Sequence, residues 1–452
     1  MSRLAQVFHG NGLMARVLRS ASLLMMGYGG SQALRLAANL ILTRLLFPEA
    51  FGLMALVSVV TVGLAMFSDV GISPSIAQSA RGDDPDFLDT AWSIQVIRGV
   101  CLWGLAALAA WPVAAFYNEP DLALYLPIAG ISLFIAGFNP TRIETAHRHL
   151  LVGRLTALDL ISQVIGVVVM VGLAWITQSV MALVLGGVVQ AAAKLFLTWV
   201  YLPGAANRFR WERKAAGELI RFGRWIFLST AFWFVSSQGD RAILGKYLSL
   251  ETLGLYNIGY FLASFPMMLG HAVTQKVLIP VYREKPPAEA PENRRAQARL
   301  RIGLTAGILG LLLVMALIGP WLVDLMYDNR YTASGAMVTL ISCALIPAVI
   351  GMTYDQAALA AGDSRSFFVF SATRAVLQVL LLIVGVTQFG LVGAIVAMGA
   401  ALFMVHAVLI WLARRHHVWD PVHDFGYGMV GIMGASGAVW LHWPAITALI
   451  AN

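Results

Sequence analysis

Four arginines lie inside long apolar stretches of this chain, where a charge is costly. They are Arg35, Arg98, Arg241 and Arg374. Insertion into the centre of a hydrocarbon layer costs a charged side chain about 2.5–3.5 kcal/mol, so such residues usually face a cavity or a partner. Arginine keeps its charge and presents a planar fork of donors that matches phosphate oxygens. The four residues therefore predict a binding site for an anionic group, and a diphosphate fits.

Two of these arginines have polar neighbours at helical spacing. Arg35 is flanked by polar residues three positions before it and four positions after it, which places all three on one helical face. Arg241 follows two polar residues at three and four positions. The polar residues predicted to share the binding site are Gln32, Asn39, Ser237 and Gln238.

An alternative interpretation assigns the arginines a structural role. Each could pair with an acidic residue in an apolar stretch and fasten two helices together. The candidate acids are Asp69, Asp159, Asp240 and Asp355. Asp240 is adjacent to Arg241, and adjacent residues point to different sides of a helix, so the two are not obvious partners.

The composition indicates whether these residues are surrounded by water or by a lipid bilayer. Hydrophobic residues make up 59% of the 452 residues and charged residues 12%, with a mean hydropathy of +0.76. A soluble domain carries roughly 25% charged residues, and a membrane-spanning helix needs about 20 mostly apolar ones. The sequence predicts an all-α membrane protein with thirteen spans, near 21–46, 51–73, 88–116, 122–140, 155–177, 179–201, 219–247, 253–280, 301–327, 334–360, 366–388, 390–412 and 425–448.

The basic residues predict how these spans are oriented. With a cytoplasmic N-terminus, the basic loop residues fall almost entirely on the inside, and Arg330 is the exception. This topology accounts for the net charge of +8, so no nucleic-acid partner is expected. The longest inside loop, 282–301, is charged and rich in proline, which favours a solvated linker.

One stretch is repeated. TRLLFPEAFGL (43–53) and GKYLSLETLGL (245–255) match at an offset of 202 residues, which places span one on span seven. Parallel repeats are a common plan of transporters, with two bundles around a central cavity. The predicted parts are a cytoplasmic N-terminal segment (1–20), an N-lobe (21–201), an inter-lobe loop (202–218), a C-lobe (219–412) and a C-terminal part with one span, or two if the HWP stretch at 442–444 divides it (413–452).

The repeat also relates two pairs of polar residues. Asp69 corresponds to His271, and the pair could form an inner gate or a protonatable coupling site, since histidine titrates near neutral pH. The alternative is a capped helix end. Arg44 and Lys246 correspond at the outer ends of spans one and seven, where they could form an outer gate or serve as interfacial anchors.

Several stretches resemble a known family. LTRLLFPEAFGL (42–53) followed by FSDVGISPSIAQ (67–78) is similar to the start of Wzx-type polysaccharide flippases. These belong to the multidrug/oligosaccharidyl-lipid/polysaccharide exporter superfamily. GDRAILGKYLSLETLGLYNIGY (239–260) and VLIPVYRE (277–284) resemble the corresponding stretches of the second lobe. The resemblance covers about the first 280 residues by motif and the rest by span pattern.

The resemblance implies a fold, a cargo and partners. The expected fold has two six-helix lobes, often followed by two further helices. The expected activity is alternating-access transfer of a polyprenyl-diphosphate-linked oligosaccharide from the cytoplasmic to the outer leaflet of the bacterial inner membrane. This transfer would serve assembly of exopolysaccharide or O-antigen. Membrane lipids, a polysaccharide polymerase and glycosyltransferases are the expected partners.

Other functions compete with this interpretation. A drug or small-solute exporter shares the two-lobe plan, but its cavity should favour acidic residues for cationic substrates. A membrane-embedded polymerase or ligase should carry a large outside loop with catalytic groups, and the predicted outside loops are short. A scaffold in an assembly complex is a further alternative. No catalytic residue, metal site or cofactor is predicted, since the GDDPDF, HRH and RRHH stretches lie in short inside loops and no P-loop pattern occurs.

The topology can be tested with reporter fusions. A reporter inserted in 202–218 or 282–301 should read cytoplasmic, and one inserted after Leu248 should read external, because basic loops stay inside. Compartment-specific activity of the reporter is the measurement. An external signal from either long loop would overturn both the span count and the repeat.

Overall fold

The computed structural model describes residues 13–68, 71–149, 151–274, 278–284, 286–287 and 289–451. Its regular elements are helices, with no strand among these residues, which confirms the predicted all-α class. The first half contains α1 (Leu13–Leu45), α2 (Pro48–Phe67), α3 (Ile72–Gln78), α4 (Pro85–Tyr117), α5 (Leu122–Gly137), α6 (Arg142–Arg148), α7 (Val152–Thr177) and α8 (Met181–Tyr201).

The second half begins with a long helix and ends with a bent pair. Its helices are α9 (Arg213–Tyr247), α10 (Leu250–Ala263), α11 (Phe265–Val273), α12 (Ile279–Glu284), α13 (Pro291–Met326), α14 (Ala333–Gly351), α15 (Asp355–Ala360), α16 (Ser364–Arg415), α17 (Pro421–Leu441) and α18 (Trp443–Ala451). Within the described residues, seven helices are long and apolar enough to cross a membrane, or up to nine if each of two bent pairs counts as one span. The chain is a multi-pass membrane protein.

The chain packs as two compact units. Unit 1 contains residues up to Leu46 and Leu56–Ala231, and unit 2 contains Phe47–Ala55 and the residues from Phe232 onward. The chain passes from unit 1 to unit 2 inside α9, beyond the connection between α8 and α9. The predicted limits of the lobes stay a prediction.

In unit 1, the long helices pack both against sequence neighbours and against helices distant in the sequence. α4 packs against α5, α5 against α8, α8 against α7, and α7 against α1. The start of α9 also belongs to this unit, because Ala215 and Leu219 are fully buried against Ile72 and Phe87.

The connector, which we define as residues 202–212, is fixed to unit 1. Arg142 donates to the carbonyl oxygen of Leu202 at 2.7 Å. Arg81 forms ion pairs with Asp84 and Glu212, both at 2.6 Å. The hydrogen bonds from Arg81 lower the pKa of both carboxyl groups, since they stabilise the ionised form. The predicted inter-lobe loop is therefore a tethered segment followed by the first turns of a helix.

Unit 2 is built around α14. This helix packs against α10, α13, α16 and α17, and it is the most buried of the apolar helices described. α16 contains a break at Phe389–Gly390, where Gly390 has a φ of 59°, a left-handed value that glycine adopts without strain. The break separates the predicted spans 366–388 and 390–412.

Two sequence-based expectations about unit 2 have clear outcomes. The prediction that 282–301 is a linker is wrong from Pro291 onward, because α13 begins there and buries Gln297 and Arg301. Most of the other side chains in 291–300 are exposed, as a solvated segment requires. Proline is favoured in the first turn of a helix, since its missing N–H needs no partner there. The interruption predicted at 442–444 is confirmed: α17 and α18 meet at a bend of 75°.

The repeated stretch makes a reciprocal contact inside unit 2. A Cβ atom on Gly52 would overlap the carbonyl oxygen of Leu250, and one on Gly254 would overlap that of Pro48. The two glycines correspond across the 202-residue offset. A contact with two-fold symmetry uses the same residue on both sides, which gives the repeat a physical reason at this position.

Alanine at either glycine should destabilise the protein. We expect Gly52→Ala and Gly254→Ala each to lower the free energy of unfolding by about 1–3 kcal/mol, because an added methyl group forces the backbones apart. The double variant should lose less than the sum of the two, since both methyl groups act on one contact. Thermal unfolding of the purified protein in detergent measures this.

A matched control is available in α13. Gly307 is exposed and has open space around its Cα, so Gly307→Ala should leave stability unchanged or raise it slightly. Strictly additive losses at Gly52 and Gly254 would contradict a shared contact.

Candidate binding site in the membrane

Arg241 is held by neutral partners in unit 2. Its Nε donates to the side-chain oxygen of Asn257 at 2.6 Å, and Nη1 donates to the carbonyl oxygen of Ser237 at 3.4 Å. The guanidinium carbon lies 4.9 Å from the ring centre of Tyr260, a cation–π distance. The adjacent Asp240 instead accepts from a tyrosine hydroxyl, Tyr256 Oη, at 2.9 Å. Arg241 is therefore positioned without a direct ion pair.

Arg374 lines a small cavity of unit 2. The cavity has a volume of about 30 Å³, enough for one or two water molecules. Three further ionisable side chains line it, those of His271, Asp355 and His406. The Nε of Arg374 is buried without a hydrogen-bond partner among the described residues.

Tyr260 connects these two arginines. Its hydroxyl interacts electrostatically with both Arg241 and Arg374, and Arg374 interacts with His271 and Asp355. The fold thus brings two of the four predicted arginines into one region of unit 2. The other predicted polar residues of α9 lie beside it: Ser237 and Gln238 are both half-buried.

Arg35 lies in a different setting, on α1 of unit 1. It is exposed and makes no hydrogen bond or ion pair with a described residue. Gln32, three residues earlier, is 8% exposed, and its Oε1 has no partner in the described part of the chain. Asn39 is half-buried. The predicted stripe on α1 therefore contains one exposed charge and one buried amide with an unused acceptor.

Arg98 is bound to the end of another helix. Its Nε donates to Ser68 Oγ at 3.1 Å, and Nη2 donates to the carbonyl oxygen of Ala65 at 3.4 Å. Carbonyl oxygens at the end of a helix lack partners within the helix and carry its negative dipole end. This geometry favours a structural role for Arg98 over the predicted binding role, which stays a prediction.

The alternative interpretation, with arginines fastened to membrane acids, has little support in the described residues. Arg35, Arg241 and Arg374 make no ion pair there. Asp159 pairs with a lysine, Lys194, at 2.8 Å. Three guanidinium groups therefore keep donors that an anionic ligand could use.

Three of the four predicted gate and coupling residues lie in the described part of the chain. His271 is exposed and lines the cavity of Arg374. Asp69 lies outside the described residues. Arg44 and Lys246 are exposed at the ends of α1 and α9, as expected of interfacial anchors. An exposed position at a helix end suits an anchor and a gate equally, so the gate role stays a prediction.

Sequence reasoning missed a cluster centred on Asp424, in the first turn of α17. Tyr354 donates to its carboxylate at 2.6 Å and Trp419 at 3.1 Å, while nitrogens of His406 and His423 lie 3.3 and 3.1 Å from it. His406 also lines the cavity of Arg374. This carboxylate thus joins α17 to the wall of the candidate site.

Only one member of this cluster could have been predicted from the sequence. His406 lies inside the predicted span 390–412, so the criterion applied to arginines would have found it. Tyr354 and Asp424 lie at the ends of spans, where polar residues are ordinary. Among the described residues, no group of histidine, cysteine and acidic side chains could hold a metal ion.

The fold is that of the multidrug and lipid-flippase transporters. An inward-facing multidrug resistance MATE transporter of the MOP superfamily superposes with a TM-score of 0.65 at 16% identity, covering 85% of this chain and 94% of that one. The lipid II flippase MurJ, in an inward closed conformation, gives 0.63 at 11% identity, covering 94% and 99%. Both have two lobes, which confirms the predicted fold class.

The family follows from the sequence comparison. A model of the polysaccharide biosynthesis protein family matches residues 41–336, and the chain belongs to this family. Teichuronic acid biosynthesis protein TuaB of Bacillus subtilis is 21% identical, over 49% of this chain and 46% of that protein. Succinoglycan biosynthesis transport protein ExoT of Rhizobium meliloti is 23% identical, over 68% and 60%. The matches span about half to three fifths of these relatives, and the family resemblance seen in the sequence is confirmed.

Removal of the Asp424 carboxylate should destabilise unit 2. We expect Asp424→Ala to cost on the order of 1–3 kcal/mol, because several buried donors lose their acceptor. The midpoint of thermal unfolding in detergent measures this. As a control, Asp324→Ala removes an exposed carboxylate that makes no hydrogen bond or ion pair with a described residue, and it should change stability by roughly 0.5 kcal/mol or less. Equal effects of the two substitutions would show that the cluster does not stabilise the fold.

Proposed function

We propose that this chain is a flippase for a polyprenyl-diphosphate-linked oligosaccharide. It would move this lipid from the cytoplasmic to the outer leaflet of a bacterial inner membrane, for assembly of an exopolysaccharide or an O-antigen-type polymer. The observation that carries the proposal is a set of intramembrane arginines, Arg35, Arg241 and Arg374, that make no ion pair with a described residue in a chain of the polysaccharide biosynthesis family.

The arginines support a diphosphate as the recognised group. A guanidinium binds phosphate oxygens through two parallel hydrogen bonds, and such charge-assisted bonds are about twice as strong as neutral ones. Arg241 is positioned by Asn257 and Tyr260, and neither of these neutral side chains cancels its charge. Arg374 has a buried Nε available, and Arg35 is exposed on α1. We assign these three the leading roles, with Gln32, Asn39, Ser237 and Gln238 beside them.

The relatives support the cargo class. TuaB and ExoT are named for teichuronic acid and succinoglycan biosynthesis, and ExoT is named as a transport protein. MurJ is named as a lipid II flippase. A chain that transports a lipid-linked sugar needs no catalytic residue, and we assign none.

The transport step we propose is alternating access. The 202-residue repeat supports it, because parallel repeats are a plan of transporters that open to either side of the membrane in turn. The distribution of basic loop residues supports an N-terminus in the cytoplasm. Glycosyltransferases would supply the cargo, and a polysaccharide polymerase would consume it.

A drug exporter is the main competing function, since MATE transporters share the fold. At 16% identity, this structural similarity supports a shared fold but not a shared substrate. A cationic drug would need acidic groups, but Asp240 is bound to Tyr256, and Asp355 accepts from Gln356 at 3.0 Å. Among the described residues, Asp240 keeps one buried oxygen without a hydrogen-bond partner, whereas three arginines keep donors without an ion pair. The larger number of available cationic groups favours an anionic cargo.

Substitution of the arginines tests the proposal. In reconstituted vesicles, we expect Arg35→Ala and Arg241→Ala each to slow movement of a fluorescent polyprenyl-diphosphate oligosaccharide by at least about tenfold, as for loss of a charged hydrogen bond. Lysine at either position should restore the rate only in part, since a point charge replaces a planar fork.

Arg365→Ala is the matched control, because Arg365 is exposed and makes no hydrogen bond or ion pair with a described residue. It should transport at the normal rate. All variants should reach the membrane in equal amounts. Normal transport by both alanine variants would place the diphosphate elsewhere, and no transport by the unmodified protein would reject the flippase function itself.

A further inference from the structure

The connector and the start of α9 expose an unusual combination of side chains on unit 1. Two aromatic residues are largely exposed, Phe209 at 68% and Trp211 at 55%. Three basic residues, Arg208, Arg213 and Lys214, are exposed and make no ion pair with a described residue. We call residues 208–214 the basic-aromatic surface. Loops in water rarely keep bulky aromatic rings exposed among unpaired cations.

The backbone holds this surface in place. Alternate N–H groups, at positions 208, 210 and 212, donate to side-chain oxygens in the first turns of α4 at 3.0–3.1 Å. The acceptors are Asp89, Ser93 and Thr90. The ring centre of Phe209 also lies 4.8 Å from that of Trp92. The rings are thus presented by a fixed segment, and binding would require little loss of backbone freedom.

The neighbouring surface indicates the partner. α8 is apolar enough to span the membrane and ends at Tyr201, one residue before the connector begins. Its last turns expose Phe196, Val200 and Tyr201. The basic-aromatic surface follows this apolar surface along the chain. If α8 spans the bilayer, the chain leaves the hydrocarbon for the headgroups near this point. Aromatic rings concentrate at that level.

We propose that the basic-aromatic surface binds the anionic phospholipid headgroups of the leaflet at which α8 ends. Phe209 and Trp211 would insert between headgroups, while Arg208, Arg213 and Lys214 contact phosphate groups. Basic residues next to an anionic membrane are attracted to it within a Debye length. The ligand is bulk phospholipid and not cargo, so this inference goes beyond the proposed transport function and does not depend on it.

Native mass spectrometry of the full-length protein tests the charges. Purified protein is titrated with phosphatidylglycerol or phosphatidylcholine, and bound lipid is counted. We expect the triple variant Arg208→Gln, Arg213→Gln, Lys214→Gln to bind phosphatidylglycerol about fivefold more weakly for each charge removed. Binding of phosphatidylcholine should stay the same.

A second variant tests the rings. Phe209→Ser with Trp211→Ser should weaken binding of both lipids, because insertion of aromatic rings does not depend on headgroup charge. Added salt should weaken phosphatidylglycerol binding by the unmodified protein, since salt screens the cations. Unchanged binding by both the triple variant and this variant would overturn the proposal.

A matched control removes the same charge elsewhere. Arg294, Arg295 and Arg299 are also exposed at the start of α13, and no largely exposed phenylalanine or tryptophan is described beside them. Their triple substitution by glutamine should leave phosphatidylglycerol binding within twofold of normal. An equal loss in both triple variants would mean that net charge alone attracts the lipid, and the assignment to residues 208–214 would be wrong.

One further titration distinguishes binding of bulk phospholipid from binding of cargo. The same titration is run with a polyprenyl diphosphate. If the triple variant at Arg208, Arg213 and Lys214 still binds phosphatidylglycerol normally and loses only the polyprenyl diphosphate, the surface recognises cargo, which overturns the proposal. Loss of phosphatidylglycerol binding with normal transport in vesicles would support it and leave the flippase function unaffected.

Discussion

Hydrocarbon offers no hydrogen bonds, so every polar group that enters it must be met by the protein or by a ligand. Arg241 illustrates the first solution: an amide, a carbonyl oxygen and an aromatic ring hold the guanidinium while its charge stays available. Asp424 illustrates a different one, a carboxylate surrounded by donors from several parts of unit 2. The difference between these environments separates a residue that can bind a ligand from one that stabilises the fold.

The same constraint organises unit 2 around a small polar interior. α14 is buried by apolar contacts on nearly every side, and the ionisable residues collect where α11, α15 and α16 border the cavity. Because unsatisfied buried groups are costly, such a cluster is stable only if nearly all its members have partners. The buried Nε of Arg374 is an exception within the described residues, and an unused donor beside a cavity is what an anion site requires.

The repeat and the connector show how chain connectivity serves this arrangement. Gly52 and Gly254 meet in a reciprocal backbone contact, so a single residue type at equivalent positions satisfies both sides. The connector is fixed to unit 1 through alternate N–H groups and the Arg81 ion pairs, and the chain passes from unit 1 to the main part of unit 2 only within α9. The tether holds residues 208–214 in a fixed position, with Phe209 and Trp211 exposed.

The sequence alone predicts the membrane environment, the helical class, the repeat and the family. These properties depend on local composition and on sequence patterns, which contacts between distant segments do not alter. Arg35, Arg241 and Arg374 are also visible there, because a charge in an apolar run stands out without a structure. What each arginine contacts depends on folding: Arg98 binds the end of a helix, and Arg374 shares a cavity with His271 and His406. Asp424 acquires its role through contacts between segments far apart in the chain. The helix at 291–301 was missed because charge and proline suggest a linker, whereas burial of Gln297 and Arg301 depends on helices that pack against them.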